Sequence, residues 1–194
     1  MATLRGLNLD ESTVKAHESL VRSAIEGDEG AMKELMEISY SSLYRFLFYL
    51  SGSEPLSQDL TQDTLLKAME TLPQLKEPAK FKSWLNSIAR NLFLDYLKSK
   101  KNQSHEDWDD ESTITSINSQ ALSEDEQQDI WLIRETLQKV DPDYREVLLL
   151  VDMEGASYGE AAETLGVSES ALRSRLHRAR QEFLSHYKKL DKAS

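Results

Sequence analysis

The stretch SYGEAAETLGVSESALRSRLHRARQEF, residues 157–183, decides the fold. Ser157 with Glu160 three residues on forms a capping box, in which each side chain satisfies a backbone donor that the first helical turn leaves unpaired. The short helix it opens runs to Leu165. Gly166-Val167-Ser168 then reads as a tight turn, with Ser168 capping a longer helix. Helix, glycine-containing turn and basic helix together are the sequence form of a helix-turn-helix. In the second helix Leu172, Leu176, Ala179 and Phe183 fall at i, i+4, i+7 and i+11, so they bury together. Arg173, Ser174, His177, Arg178 and Gln181 project the other way. A helix of this width fits the DNA major groove, where arginine reaches guanine O6 and N7 and serine or a neighbouring arginine holds phosphate. The plainer reading is a solvated amphipathic helix, but it leaves unexplained why caps, turn and basic face coincide. Ser168 serves first as an N-cap and second as a phosphate contact.

Helical periodicity continues upstream. Ser123 and Glu126 form another capping box before the stripe Ile130, Ile133, Leu137 and Val140. Asp141-Pro142 opens the next helix, with Pro at its first position, carrying Tyr144, Val147, Leu148 and Val151 up to Gly155. Four further stripes fill the first half. The first holds Val14, Val21, Ala24 and Ile25. The second runs from Met32 to Leu50 and stops at Ser51-Gly52. The third has its N-cap at Ser53, carries Leu56, Leu60, Leu65, Ala68 and Met69, and stops at Pro73. The fourth holds Phe81, Trp84, Leu85, Ile88, Ala89, Leu92 and Tyr96. Between the halves, residues 102–122 are rich in Ser, Thr, Asn, Asp and Glu, with too little apolar content to repay ordering. No strand pattern emerges. The expected fold is all-α: an N-terminal four-helix domain (1–101), a flexible acidic linker (102–122) and a C-terminal four-helix domain with the helix-turn-helix (123–194).

The 194-residue chain has no cysteine, which excludes a disulfide framework, thiolate zinc and a cysteine nucleophile. No apolar run approaches a membrane span, and the first ten residues lack the apolar core of an export signal, so a cytoplasmic location is expected. The net charge is −11, which for the chain as a whole disfavours nucleic acid. The distribution reverses that inference locally. Residues 76–101 hold 7 basic and 2 acidic residues, residues 102–133 hold no basic and 9 acidic, and residues 168–194 hold 7 basic and 3 acidic. Two basic islands flanking an acidic stretch mark separate interaction surfaces.

The first island lies on the fourth helix and its entry loop, with Lys80, Lys82, Arg90, Lys98, Lys100 and Lys101 around Phe81 and Trp84. Cations interleaved with aromatic rings suit single-stranded or opened DNA. Phe81 reads as core first, and Trp84 stands between core and base platform. Asn86 and Asn91 lie off the stripe and can hydrogen-bond base edges. The irregular loop from Leu72 to Lys80 can hold an extruded base. On the third helix Asp59, Gln62 and Asp63 form a polar edge. No third catalytic group accompanies these carboxylates, so they read as a solvated face or a docking face for a basic partner. The four histidines, at 17, 105, 177 and 186, show no metal-ligand spacing, and there is no glycine-rich phosphate loop. No enzyme activity, cofactor or metal is expected.

Four stretches together resemble a family. They are Ala24 to Ala31, Asp59 to Leu65, Phe81 to Asn91, and Tyr144 to Leu150 followed by Ser174 to Arg180. The chain is similar to bacterial RNA polymerase sigma factors of the extracytoplasmic-function (ECF, group IV) family over about residues 18–101 and 124–187. The resemblance implies a promoter-specificity factor for transcription initiation of the stress-response kind, without catalytic activity. It implies core RNA polymerase as a partner, bound at the clamp of the largest subunit through Asp59, Gln62 and Asp63 and at the flap of the second largest. It implies recognition of the −10 element by Lys80, Lys82, Trp84, Asn86, Ser87, Arg90, Asn91 and Lys98, and of the −35 element by Ser168, Arg173, Ser174, Arg175, His177 and Arg178. An anti-sigma factor is the expected regulator. The chain departs from the family pattern at Ala171-Leu172 (usually Thr-Val), Gly159 (usually acidic) and Ala161 (usually Ile).

Overall fold

The computed structural model describes residues 11–103 and 124–192, and side chains within 13–101 and 127–192. The linker and the cap at Ser123 lie outside the described residues. Among those described, every regular element is helical. The first half holds α1 (Glu11–Ile25), α2 (Glu29–Ser51), α3 (Glu54–Thr71) and α4 (Phe81–Gln103), with 3₁₀ turns at Leu72–Gln74 and Pro78–Lys80. The second holds α5 (Glu124–Lys139), α6 (Pro142–Leu148), α7 (Tyr158–Leu165) and α8 (Glu169–Asp191). A π turn over Leu149–Met153 extends α6.

The caps explain the boundaries. Asp28 accepts from the Ala31 amide at 2.9 Å and starts α2. Asp141 accepts from Asp143 N at 2.9 Å, with Pro142 in the first turn of α6. Ser157 and Glu160 form the reciprocal pair at the start of α7, and Gly166 ends that helix in the left-handed region at φ 66°. Gly52 ends α2 at φ 74°, and a Cβ there would lie 2.6 Å from Gln138 Cδ. Both the backbone conformation and the approach of α5 therefore require glycine.

Leu35, Leu43, Phe46, Leu47 and Leu50 from α2 fill the first unit, while Val140, Val147, Leu149, Leu150 and Leu172 fill the second. Burying each such side chain stabilises by about 1.5–3 kcal/mol. These residues form one continuous apolar cluster, so the two units pack against each other. The last carbonyls of a helix have no partner within it, and α5 and α6 supply donors to those of α2. Gln138 Nε2 donates to Tyr49 O and Arg145 Nη1 to Leu50 O, each at 2.9 Å. The Arg134 guanidinium lies 5.5 Å above the centre of the Phe48 ring.

Three residues of the expected stripes are surface residues. Val14, Met69 and Tyr96 are exposed. A stripe is buried only where another helix covers it, and these positions lie at the margins of the covered faces. Conversely Asn86, off the apolar stripe, is buried; it lies one turn from both Lys82 and Arg90, which meet the second unit. Gly159 lies inside α7 without a positive φ, and a Cβ would meet only the flexible tip of Glu169 at 3.4 Å. Gly159→Ala is therefore expected to stabilise the protein by about 0.5–1 kcal/mol. Thermal unfolding checks this, and a lowered midpoint would show that α7 has no room for the methyl group.

Candidate nucleic-acid interface

The second basic island is a built surface. Leu172, Leu176 and Ala179 are buried beneath α8, and Ser168 Oγ accepts from Ala171 N at 3.2 Å at its start. This fixes the rotation of the helix and leaves Arg173, Ser174, His177 and Arg178 exposed. Arg173 lies 4.7 Å over the Tyr158 ring and pairs with Glu169 at 3.4 Å, which orders the guanidinium across the turn. Ser174 Oγ donates to Ser170 O at 3.1 Å. Arg178 makes no ion pair or hydrogen bond with the described residues. Arg175 is half-buried and its charge acts on Glu146 of α6. Arg180, also basic, points elsewhere: it forms a two-pronged pair with Asp152 of the π turn, clamping α8 to the body of the unit. That fork and the hydrogen bond it makes hold the Arg180 guanidinium above its usual pKa.

The first island has a different geometry. Phe81, Leu85, Ala89 and Phe93 bury one side of α4. Trp84 is half-buried with its ring centre 5.9 Å from that of Phe81. Asn91 is exposed, as is Lys98, which pairs with Asp95 of its own helix at 3.0 Å. Four more residues of the expected −10 set meet the second unit. Arg90 Nε donates to a Glu146 oxygen at 2.9 Å. Lys82 Nζ donates to Glu154 O at 2.6 Å and lies 3.0 Å from its carboxylate. Lys80 lies 3.3 Å from Glu77 and 3.5 Å from Glu163. Ser87 Oγ lies 3.4 Å from Thr164 Oγ1. Burial pushes the Glu146 carboxyl up, against the pull of Arg90. The hydrogen bond from Lys80 to Glu77, with the charge of Glu163, raises the ammonium.

On α3, Asp59, Gln62 and Asp63 are exposed on one face. Leu66 and Met69 continue it and are 61% and 46% exposed, which makes the lower half of the face apolar. Leu66 was legible as the leucine out of phase with the buried positions Leu60, Thr64 and Ala68; it follows Asp59, Gln62 and Asp63 at i+7, i+4 and i+3, so it shares their face.

A capped helix-turn-helix with an outward basic helix, packed beside a second helical unit with its own basic helix, defines an all-α DNA-binding protein of two four-helix units. Residues 35–103 match Sigma-70 region 2, and residues 130–183 match Sigma-70 region 4. The ECF RNA polymerase sigma factor SigM of Bacillus subtilis is 31% identical, over 79% of this chain and 93% of its own. The corresponding factor EcfG of Rhodopseudomonas palustris is 33% identical, over 73% and 76%. SigE of Mycolicibacterium smegmatis is 32% identical over 84% of this chain, but the match spans only 65% of that longer protein. Among solved structures, the sigma factor RpoE in complex with the anti-sigma factor NepR from Bartonella quintana superposes with a TM-score of 0.68 at 26% identity, covering 80% of this chain and 96% of that one. CnrH in complex with the cytosolic domain of CnrY gives 0.66 at 25% identity, covering 92% and 99%. The chain belongs to the ECF RNA polymerase sigma factors, the family of promoter-specific initiation factors. Among the described residues no helix is long and apolar enough to cross a membrane.

Proposed function

We propose that this protein joins core RNA polymerase and directs it to promoters through two separate DNA surfaces, contributing no catalytic group of its own and acting in the cytoplasm. The observation that carries the reading is the outward basic face of α8 on a helix-turn-helix whose caps and buried stripe set its rotation. The C-terminal domain (123–194) reads the −35 element through Ser168, Arg173, Ser174, Arg175, His177 and Arg178, near the flap of the second largest subunit. The N-terminal domain (1–101) serves the −10 element. There Lys80, Lys82, Asn91 and Lys98 keep accessible side chains and Trp84 is half-buried, while Asn86, Ser87 and Arg90 become accessible when the second unit moves away. Residues 102–122 link the two.

Asp59, Gln62 and Asp63, extended by the exposed Leu66, form the face for the clamp of the largest subunit. Carboxylates beside an apolar patch suit a partner whose basic residues rim a hydrophobic centre. Two of the similar solved chains are held by partner proteins, NepR and the cytosolic domain of CnrY, which supports an anti-sigma factor as the regulator here. Run-off transcription with core polymerase, followed by mapping of the start sites, tests the reading as a whole. Initiation at one spaced pair of promoter elements is the expected result. Asp59→Arg is expected to weaken core binding about tenfold by placing a like charge against the basic rim. Undiminished capture of core enzyme would remove α3 from that role.

A further inference from the structure

The helix α1 carries no part of the surfaces described above, yet it lies beside one of them. Val21 and Ala24 are buried where it packs on α2. It also lies against both 3₁₀ turns, Leu72–Gln74 and Pro78–Lys80, which are the two ends of the loop that can hold an extruded base. Earlier on the helix, the His17 ring centre lies 5.8 Å from that of Phe81, tilted by 56°. Phe81 in turn lies 5.9 Å from Trp84, tilted by 41°. Three rings therefore touch in series from α1 to α4. Phe81 is 2% exposed, so it cannot meet DNA and acts only through its neighbours. Trp84 is half-buried and keeps part of its surface accessible.

His17 makes no hydrogen bond or ion pair with the described residues. Burial lowers its pKa, against the pull of Glu18 on its own helix and with the repulsion of Lys82 on α4. The imidazole is therefore neutral at neutral pH and packs on Phe81 as an uncharged ring.

We propose that His17 is a positioning residue for the −10 element: through Phe81 it fixes the angle at which Trp84 presents its ring to an unstacked base. The inference rests on the assignment of α4 and its entry loop to −10 DNA. The physical reason is preorganisation. A platform that is already held loses little further rotamer freedom when the base arrives, and the strength of a ring contact depends on its tilt and offset. One helix that touches both ends of the loop and the ring behind the platform keeps loop and platform in register.

The test uses the full chain with core polymerase on a promoter whose start site has been mapped, and reads the rate of open-complex formation. His17→Ala is expected to slow it about three- to tenfold, the range of one lost aromatic contact. His17→Phe keeps a ring against Phe81 and should recover most of that loss; a His17→Phe protein as slow as His17→Ala overturns the proposal. A histidine that served only stability would act whether or not Trp84 is present, so the double variant His17→Ala, Trp84→Ala separates the two roles. Positioning predicts a double variant no slower than Trp84→Ala alone. A Trp84→Ala defect to which that of His17→Ala adds in full overturns the positioning role and leaves the −10 assignment standing. Full activity of Trp84→Ala removes the platform itself, and the proposal then falls together with the −10 reading of that residue. Capture of core enzyme should be equal in all the variants, because Asp59, Gln62 and Asp63 lie on another helix. A parallel loss of capture in His17→Ala overturns the proposal as a general folding defect. If His17→Ala does not fold, His17→Leu, which keeps the bulk without the ring, takes its place with the same outcomes.

Discussion

Arg178→Ala is expected to reduce transcription from a −35-dependent promoter by about tenfold or more, the range that follows from losing one bidentate arginine contact to a base. The side chain is exposed, and it forms no ion pair or hydrogen bond with the described residues, so its removal leaves no buried group unpaired. Binding to core polymerase and the thermal midpoint should therefore stay unchanged. The effect should vary with the base at one promoter position, which separates base reading from attraction to phosphate. Unaltered promoter activity would show that α8 lies in the groove in another rotation. Arg173 provides the internal comparison. Its guanidinium is stacked on Tyr158 and paired with Glu169, so its replacement alters the turn as well as the proposed DNA surface.

The largest effect on stability is expected at Arg145. Its guanidinium donates to the carbonyls of Leu137, Gln138 and Val140 at the end of α5, to the Gln138 side chain, and to Leu50 O at the end of α2. Burial lowers its pKa, with Asp141 and Glu146 acting against that shift. Arg145→Ala leaves helix-end carbonyls of two units without donors at once. The expected destabilisation is about 2–4 kcal/mol, which lowers the midpoint of a domain pair this size by roughly 5–15 °C. Lysine cannot rescue it, since an ammonium cannot span five acceptors in one plane. Unfolding followed by circular dichroism checks the value, and a shift under 2 °C would mean that water caps these carbonyls equally well.

Much of the fold was legible because its determinants are local. Ser157 and Glu160, Asp141 and Pro142, Gly52 and Gly166 act within one helical turn, so reading their neighbours is enough to place helix ends. The stripe Leu172, Leu176 and Ala179 is likewise a property of one helix, and with it goes the outward direction of Arg178. The π turn over Leu149–Met153 was not legible. It carries Asp152, which pairs with Arg180, and ends at Glu154, which pairs with Lys82, and no local residue preference signals it. Nor was the exposure of Met69, which has the period of a core residue but lies beside the buried Ala68 at the edge of the packed side of α3.

The candidate surfaces divide in the same way. For α8 the sequence alone determined which residues face outward, because the caps and the apolar stripe belong to the same twenty-odd residues. For α4 it determined only that cations and aromatic rings share a helix. Which of those cations are free was decided by tertiary structure, since Arg90 meets Glu146 across 56 positions and Lys82 meets Glu154 across 72. Charges separated by more than about 8–10 Å in physiological salt are largely screened from each other. Charge pairing therefore depends on which surfaces the two helical units bring together, and that is a matter of packing between elements rather than of any pattern along one.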